Sequence, residues 1–229
     1  MNNSIENNNF TGGAIQLFVN QGPNWIHNNM FTNQSGLNLS QTSFVNITYN
    51  NFTPSSASPS VILDGASNGT IANNFFYEGR IVLLTTTGGT ISANNTLINN
   101  TMNTSGPANA KILFSNTASA QNNISYQNSE GRIDWEIELA STVNEKAALG
   151  FDNENPVIEN NLGSFTPSQA TGLLNRTAVI TLNSLGYDFI GFPALYRNGE
   201  ICSGAICTPS SFDGSTFIFS VNQFSNFTT

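Results

Sequence analysis

One frame, Ile-x-x-Asn-x-Phe, recurs through the first third of the chain. It stands at Ile5, Asn8 and Phe10, at Ile26, Asn29 and Phe31, at Ile47, Asn50 and Phe52, and at Ile71, Asn74 and Phe76. "ISANNT" keeps Ile91 and Asn94 without the Phe, and "ISYQNS" at Ile124 has Gln127 in the Asn place. Successive isoleucines are 21, 21, 24, 20 and 33 residues apart, and the longest step reads as an insertion around 99–110. A period of this length means that one structural unit is repeated and stacked on itself.

A second apolar pulse follows each unit: "AIQLF", "GLNLS", "SVILD", "RIVLL", "KILF" and "RIDWEIEL". Within each pulse the apolar residues alternate with the period of a β-strand. Two short strands per step, with no helical pattern between them, predict a parallel β-helix of about six short coils. The step is too short for a propeller blade, and a leucine-rich repeat has a different frame.

The frame also gives asparagine a task. Asn accounts for 37 of 229 residues, Ser and Thr for 48 more, and yet 17 Phe and 38% hydrophobic residues argue for a packed core over disorder. Equivalent residues of stacked coils lie about 4.8 Å apart. An inward amide at a tight turn donates to the next coil and accepts from the last, which forms a ladder. Asn8, Asn29, Asn50, Asn74 and Asn94 are the expected ladder, and Asn tolerates the left-handed turn conformation such a corner needs.

The formal charge of −8, with six Lys and Arg, argues against a nucleic-acid partner. No segment approaches 18 apolar residues, so no membrane span is expected. "MNNSIENNNF" has neither a basic nor an apolar leader region. Met1 is therefore expected to begin a mature piece or a fragment. The first frame starts at Ile5, so an open terminal coil and head-to-tail self-association are expected there.

The repeats resemble right-handed parallel β-helix proteins of the pectate-lyase-like class, near the short-coil repeats of periplasmic copper-binding and carbohydrate-processing families. That resemblance implies a right-handed solenoid and covers 1–140. "EGRIDWEIEL", "NRTAVITLNSLGY", "RNGEICSGAIC" and "FIFSVNQFSNFT" follow in an order similar to archaeal cell-surface proteins, in which a β-helix ends in a small β-sandwich. The expected all-β organisation is a β-helix over 1–142, a final coil or connector over 143–163, and an Ig-like sandwich over 164–229. In the last segment Val179, Leu182, Phe217, Phe219, Val221 and Phe224 are expected on the inward face, and "RNGE" marks a tight turn. Cys202 and Cys207 lack the further ligands of a zinc site, so a disulfide and an oxidising compartment are expected. Thirteen Asn-x-Ser/Thr sequons suit a secreted glycoprotein. The candidates are Asn9, Asn38, Asn51, Asn68, Asn103, Asn123 and Asn175, and Asn9 and Asn51 are expected to point outward beside a ladder Asn.

Chemistry-bearing groups are few. Asp134, Glu136 and Glu138 share one strand face opposite Ile133, Trp135 and Ile137, either as a solvated row or as a calcium or glycan site. Arg80, Lys111 and Arg132, with Glu78 and Glu130, read as a stacked salt-bridge column. Asp152 and Glu154 in "DNEN" are calcium candidates without EF-hand spacing. His27, the single histidine, lies at an outward position, and copper would need more than His27, Met30 and Met102. No catalytic set and no cofactor are expected. The sequence thus points to an extracellular structural protein of the cell surface: a filament, surface-layer or adhesin subunit. The alternative is a glycan-binding or polysaccharide-cleaving module, a lyase or hydrolase, acting on surface glycans.

Overall fold

The computed structural model describes residues 3–18, 21–33, 36–53, 59–77, 80–84, 92–103, 112–114, 122–128, 130–137, 145–147, 157–159, 162–164, 177–185, 191–223 and 226–229. Every regular element among them is a β-strand. The chain divides into two compact units, one of residues 1–123 with 137–153 and one of residues 124–136 with 154–229.

The first unit is a parallel β-solenoid with three sheets. The first sheet stacks Asn3–Glu6, Gln21–His27, Ser43–Thr48, Thr70–Ala72 and Thr96–Ile98. The second stacks Asn9–Thr11, Met30–Thr32, Asn51–Thr53, Phe75–Tyr77 and Thr101–Asn103. The third stacks Ala14–Phe18, Gly36–Ser40, Pro59–Asp64, Arg80–Leu84 and Ile112–Phe114, with Glu145–Ala147 antiparallel on its last strand. The two halves of the Ile-x-x-Asn-x-Phe frame thus lie on different sheets, and the apolar pulse forms the third.

Period-two alternation sends one set of side chains inward, and stacking aligns like with like. Ile26, Ile47, Ile71 and Leu97 share one register column and are buried. Phe31, Phe52 and Phe76 form a second, with near-parallel rings 4.7 and 4.8 Å apart. Leu37, Val61 and Ile81 form a third. The glycine that opens "GLNLS" has a steric cause, because a Cβ on Gly36 would meet the Ser60 carbonyl oxygen at 2.8 Å.

Between the first two sheets the chain turns through one left-handed residue per rung. Asn7, Asn28, Tyr49, Asn73 and Asn99 have φ of 58, 53, 56, 56 and 52°. Asn is the side chain that tolerates this region best after Gly. The expectation that the ladder asparagine itself takes this conformation is therefore corrected. The residue before it makes the turn, which is why the sequence so often reads Asn-Asn.

The second unit holds two sheets. One runs Asn122–Asn128, whose residues from Ile124 belong to this unit, then Gly131–Ile137, Ala178–Leu182, Phe217–Val221 and Cys207–Phe212. The other runs Val157–Glu159, Leu162–Ser164, Asn226–Thr228, Tyr196–Arg197 and Glu200–Ile201. Phe219 of the first meets Phe227 of the second with ring centroids 6.0 Å apart, and both are buried. Asn198 and Gly199 both have positive φ, the conformation of a tight hairpin turn.

Three expectations change here. "RIDWEI" is not a parallel rung: Gly131–Ile137 pairs antiparallel with Ala178–Leu182, so residues 124–136 fall outside the expected 1–142 segment. The expected connector over 143–163 is shared, because Glu145–Ala147 joins the solenoid while Val157–Glu159 and Leu162–Ser164 join the second unit. Ala178, Ile180 and Leu182 are the buried residues of their strand, and Val179 is 38% exposed. Period two forbids Val179 and Leu182 from sharing a face. Phe224 lies outside the described residues.

Candidate functional site

The most ordered polar feature is a column of asparagines at the corner between the first two sheets. The Oδ1 of Asn29 accepts from the backbone N–H and Nδ2 of Asn8 at 2.9 and 3.2 Å. Asn50 Oδ1 accepts from the same two groups of Asn29 at 2.9 and 3.0 Å. Asn74 does so for Asn50 at 2.8 and 3.0 Å. Each Nδ2 donates in addition to backbone carbonyls, that of Asn50 to Ile26 and Thr48 at 2.8 and 3.0 Å. Asn29, Asn50 and Asn74 are buried, and each is satisfied by its neighbours.

The next member is Asn100. Its Oδ1 accepts from Asn74 N–H and Nδ2 at 3.2 and 3.0 Å, and its Nδ2 donates to Ile71 at 2.7 Å. The expected member, Asn94, is an exposed left-handed corner residue with φ of 56°. The frame after Ile71 is "LINNTM", in which Leu97 pairs with Ile71 and Met102 with Phe76. Leu and Met replace Ile and Phe there, so a literal search for the frame passes over it. The residue beside Asn94 serves another corner: Asn95 Nδ2 donates to the Ala66 carbonyl at 2.9 Å, and its Oδ1 accepts from Gly69 N–H at 3.0 Å.

The outward face of the first sheet carries Trp25, 46% exposed, and His27. His27 Nδ1 lies 2.9 Å from Thr48 Oγ1, and the imidazole meets Tyr49 edge-on at 5.4 Å. Tyr49 is 58% exposed, in a corner column otherwise made of asparagine. Neither Trp25 nor Tyr49 is marked out by its spacing, because exposure on a sheet depends on register.

Arg132, expected in the basic column, instead pairs with Asp134 of the acidic row. Asp134 is held by Arg132, whose Nε donates to both carboxylate oxygens at 2.7 Å, and it also accepts from Ser125 Oγ. Arg132 also donates to Ser125 Oγ at 3.1 Å and Gln127 Oε1 at 3.4 Å. The strand that carries Arg132 pairs antiparallel with Ala178–Leu182 in the second unit. Arg80 itself is placed by backbone register, paired with Pro59. Glu136 lies in the same strand as Asp134, whereas Glu138, Glu78, Lys111, Asp152 and Glu154 lie outside the described residues. Among the described residues no three His, Cys, Asp or Glu side chains gather as a metal site.

The sequons separate by environment. Asn9, Asn68 and Asn123 are exposed, while the Oδ1 atoms of Asn38 and Asn51 are buried. Asn51 is thus less open than an outward strand position suggests, because Met30 and Phe75 flank it on neighbouring strands. Asn103 is placed only by its backbone in the second sheet, and Asn175 lies outside the described residues. Cys202 and Cys207 form a disulfide with Cα atoms 5.9 Å apart. Among the described residues no helix is long and apolar enough to cross a membrane. Comparison with family models, curated proteins and solved structures found no match for this chain.

Proposed function

We propose that this chain is an extracellular structural protein of the cell surface that works by shape and self-association, as a filament, surface-layer or adhesin subunit. In this reading its first unit is a right-handed solenoid of the pectate-lyase-like class, and its second is an Ig-like sandwich of the archaeal cell-surface type. The observation that carries it is the asparagine column. The buried polar groups of Asn29, Asn50 and Asn74 are each taken up by the next rung, the chemistry of a rod held together along its axis. The Cys202–Cys207 disulfide supports an oxidising compartment. Negative-stain microscopy and sedimentation over a range of concentration test the reading. Fibres, lattices or end-to-end oligomers are expected; a monomer at all concentrations that neither binds cells nor assembles on them overturns it.

A second reading rests on Trp25, His27 and Tyr49, which place two exposed aromatic rings and hydrogen-bonding groups on the outward face of the first sheet and its adjoining corner. Such a face suits the apolar and hydroxyl surfaces of a sugar, as a glycan-binding or polysaccharide-cleaving module. Binding to a panel of polysaccharides that is lost in Trp25→Ala with Tyr49→Ala would favour it.

A further inference from the structure

The solenoid has another corner, at the start of the strands Ser43–Thr48, Thr70–Ala72 and Thr96–Ile98, where Phe44, Asn68 and Asn94 occupy equivalent positions. Phe44 N–H donates to the Ser67 carbonyl at 3.1 Å, and Asn68 N–H donates to the Ala93 carbonyl at 3.1 Å. All three are left-handed, with φ of 57, 56 and 56°. For Asn this is ordinary. For a bulky aromatic it is a true outlier, and such outliers mark positions where something other than stability chose the residue. Phe44 is also 53% exposed, so burial does not account for it.

Asn68 opens the sequon Asn68-Gly69-Thr70, and its side chain leaves the corner one rung from Phe44. Among the described residues the one contact of its amide is a long one, Nδ2 to Ser67 Oγ at 3.4 Å. The middle residue is Gly69, where a Cβ would come within 3.1 Å of both Asn95 Oδ1 and the Val45 carbonyl oxygen. The corner is therefore tightly fixed while the Asn68 side chain stays open to solvent. Asn38 and Asn51 present the opposite case: each lies in a strand that is paired on both sides, Asn38 in its middle and Asn51 at its start, with Oδ1 buried, and a sugar there would have to displace the sheet.

We infer that Asn68 is an N-glycosylation site and that the exposed Phe44 ring is the platform on which its first sugar lies. The inference rests on the extracellular reading above. In the transfer, Nδ2 of Asn68 bonds to the anomeric carbon of a lipid-linked sugar phosphate donor. The bond from that carbon to the phosphate oxygen breaks, the lipid phosphate leaves with the electron pair, and one Nδ2 proton passes to solvent. The C–H face of the sugar then covers the apolar face of Phe44, which removes apolar surface from water. Asn94 follows one rung on, about 4.8 Å away along the stack, which is too close for a second branched sugar beside the first. It is also two rungs from Phe44, so Asn68 is the modified member.

The test is mass spectrometry of the full chain purified from the cells that produce it, mapping peptides across Asn38, Asn51, Asn68 and Asn94 without reduction. A sugar mass on Asn68, with Asn38, Asn51 and Asn94 unmodified, is expected. It should be lost in Asn68→Gln and equally in Thr70→Val, which keeps the corner asparagine and removes only the sequon. The melting temperature gained on glycosylation should fall by half or more in Phe44→Ser, while occupancy of Asn68 persists. Sugar on Asn94, Asn38 or Asn51 with Asn68 bare overturns the inference, as does a melting-temperature gain indifferent to Phe44→Ser. A bare Asn68 with Cys202 and Cys207 oxidised overturns the inference alone. A bare Asn68 with both cysteines reduced overturns the extracellular reading with it.

Discussion

Asn50 Oδ1 accepts two hydrogen bonds from Asn29, at 2.9 Å from the backbone N–H and 3.0 Å from Nδ2, across 21 residues of sequence. One carboxamide thereby closes the backbone of the rung before it. Asn50→Ala leaves both donors of Asn29 buried without that acceptor, a loss of about 1–3 kcal/mol. Chemical denaturation of Asn50→Ala and Asn100→Ala should show it. Asn94→Ala, at an exposed position, should cost less than Asn100→Ala, and the reverse order would refute the assignment of the column.

Phe52 is fully buried between the rings of Phe31 and Phe76. Its truncation to Ala opens a cavity in a stack that cannot collapse along its axis, where backbone pairing fixes the spacing. Phe52→Ala should lose about 3–5 kcal/mol. Phe10, only half-buried at the first described rung, should lose less on truncation. Equal losses in the two variants would mean that burial does not grade the column.

In protein made without sugar, Phe44→Asn should raise stability. The left-handed conformation costs a side chain such as Phe about 1–2 kcal/mol relative to one that tolerates it, and an exposed ring has little packing to lose. A calorimetric melting temperature above that of the parent checks this; a lower one would show that the ring contributes more than its exposure indicates.

The Cys202–Cys207 bridge spans five residues. A loop this short removes little chain entropy when closed, so joint replacement by Ala should cost about 2 kcal/mol. Cys207 is buried in the strand Cys207–Phe212, and the loss should fall on the second unit. Hydrogen exchange that accelerates through Phe217–Val221 and leaves Met30–Thr32 unchanged is the expected pattern.

Asp213 accepts from the backbone N–H of Thr216 at 2.7 Å and of Ser215 at 2.9 Å. The Thr216 bond first, and then the Ser215 bond, hold its pKa below the ordinary aspartate value of 3.8. A carboxyl with a depressed folded pKa adds stability above its unfolded pKa, and that contribution is lost as pH falls through the folded value. Asp213→Ala should therefore melt lower than the parent at neutral pH, and the gap should close in acid below that ordinary value. A gap that widens in acid would contradict the assignment.

The parallel stack and its inward asparagines are legible in the sequence because a short repeat leaves one way to bury Ile and Phe together. Ile26, Asn29 and Phe31 carry their placement in their spacing, since strand pairing is the same at every rung. The same logic fails when the repeat degrades. Leu97, Asn100 and Met102 keep the chemistry of the frame and lose its letters, so the spacing of "ISANNT" misled while backbone pairing did not. The strand Gly131–Ile137 shows a different limit. Its alternation of Ile133 and Trp135 with Arg132 and Asp134 suits either kind of sheet, and only the register against Ala178–Leu182 chose the antiparallel one. The exposure of Phe44, Trp25 and Tyr49 was decided at the same level, because an aromatic faces outward by its place on a rung. Sequence by itself determined which residues repeat and which must be buried, since those follow from period and polarity. Tertiary structure alone decided which asparagine joins the column, which strand leaves the solenoid and which sequon stands open, because each depends on neighbours twenty or more residues away along the chain.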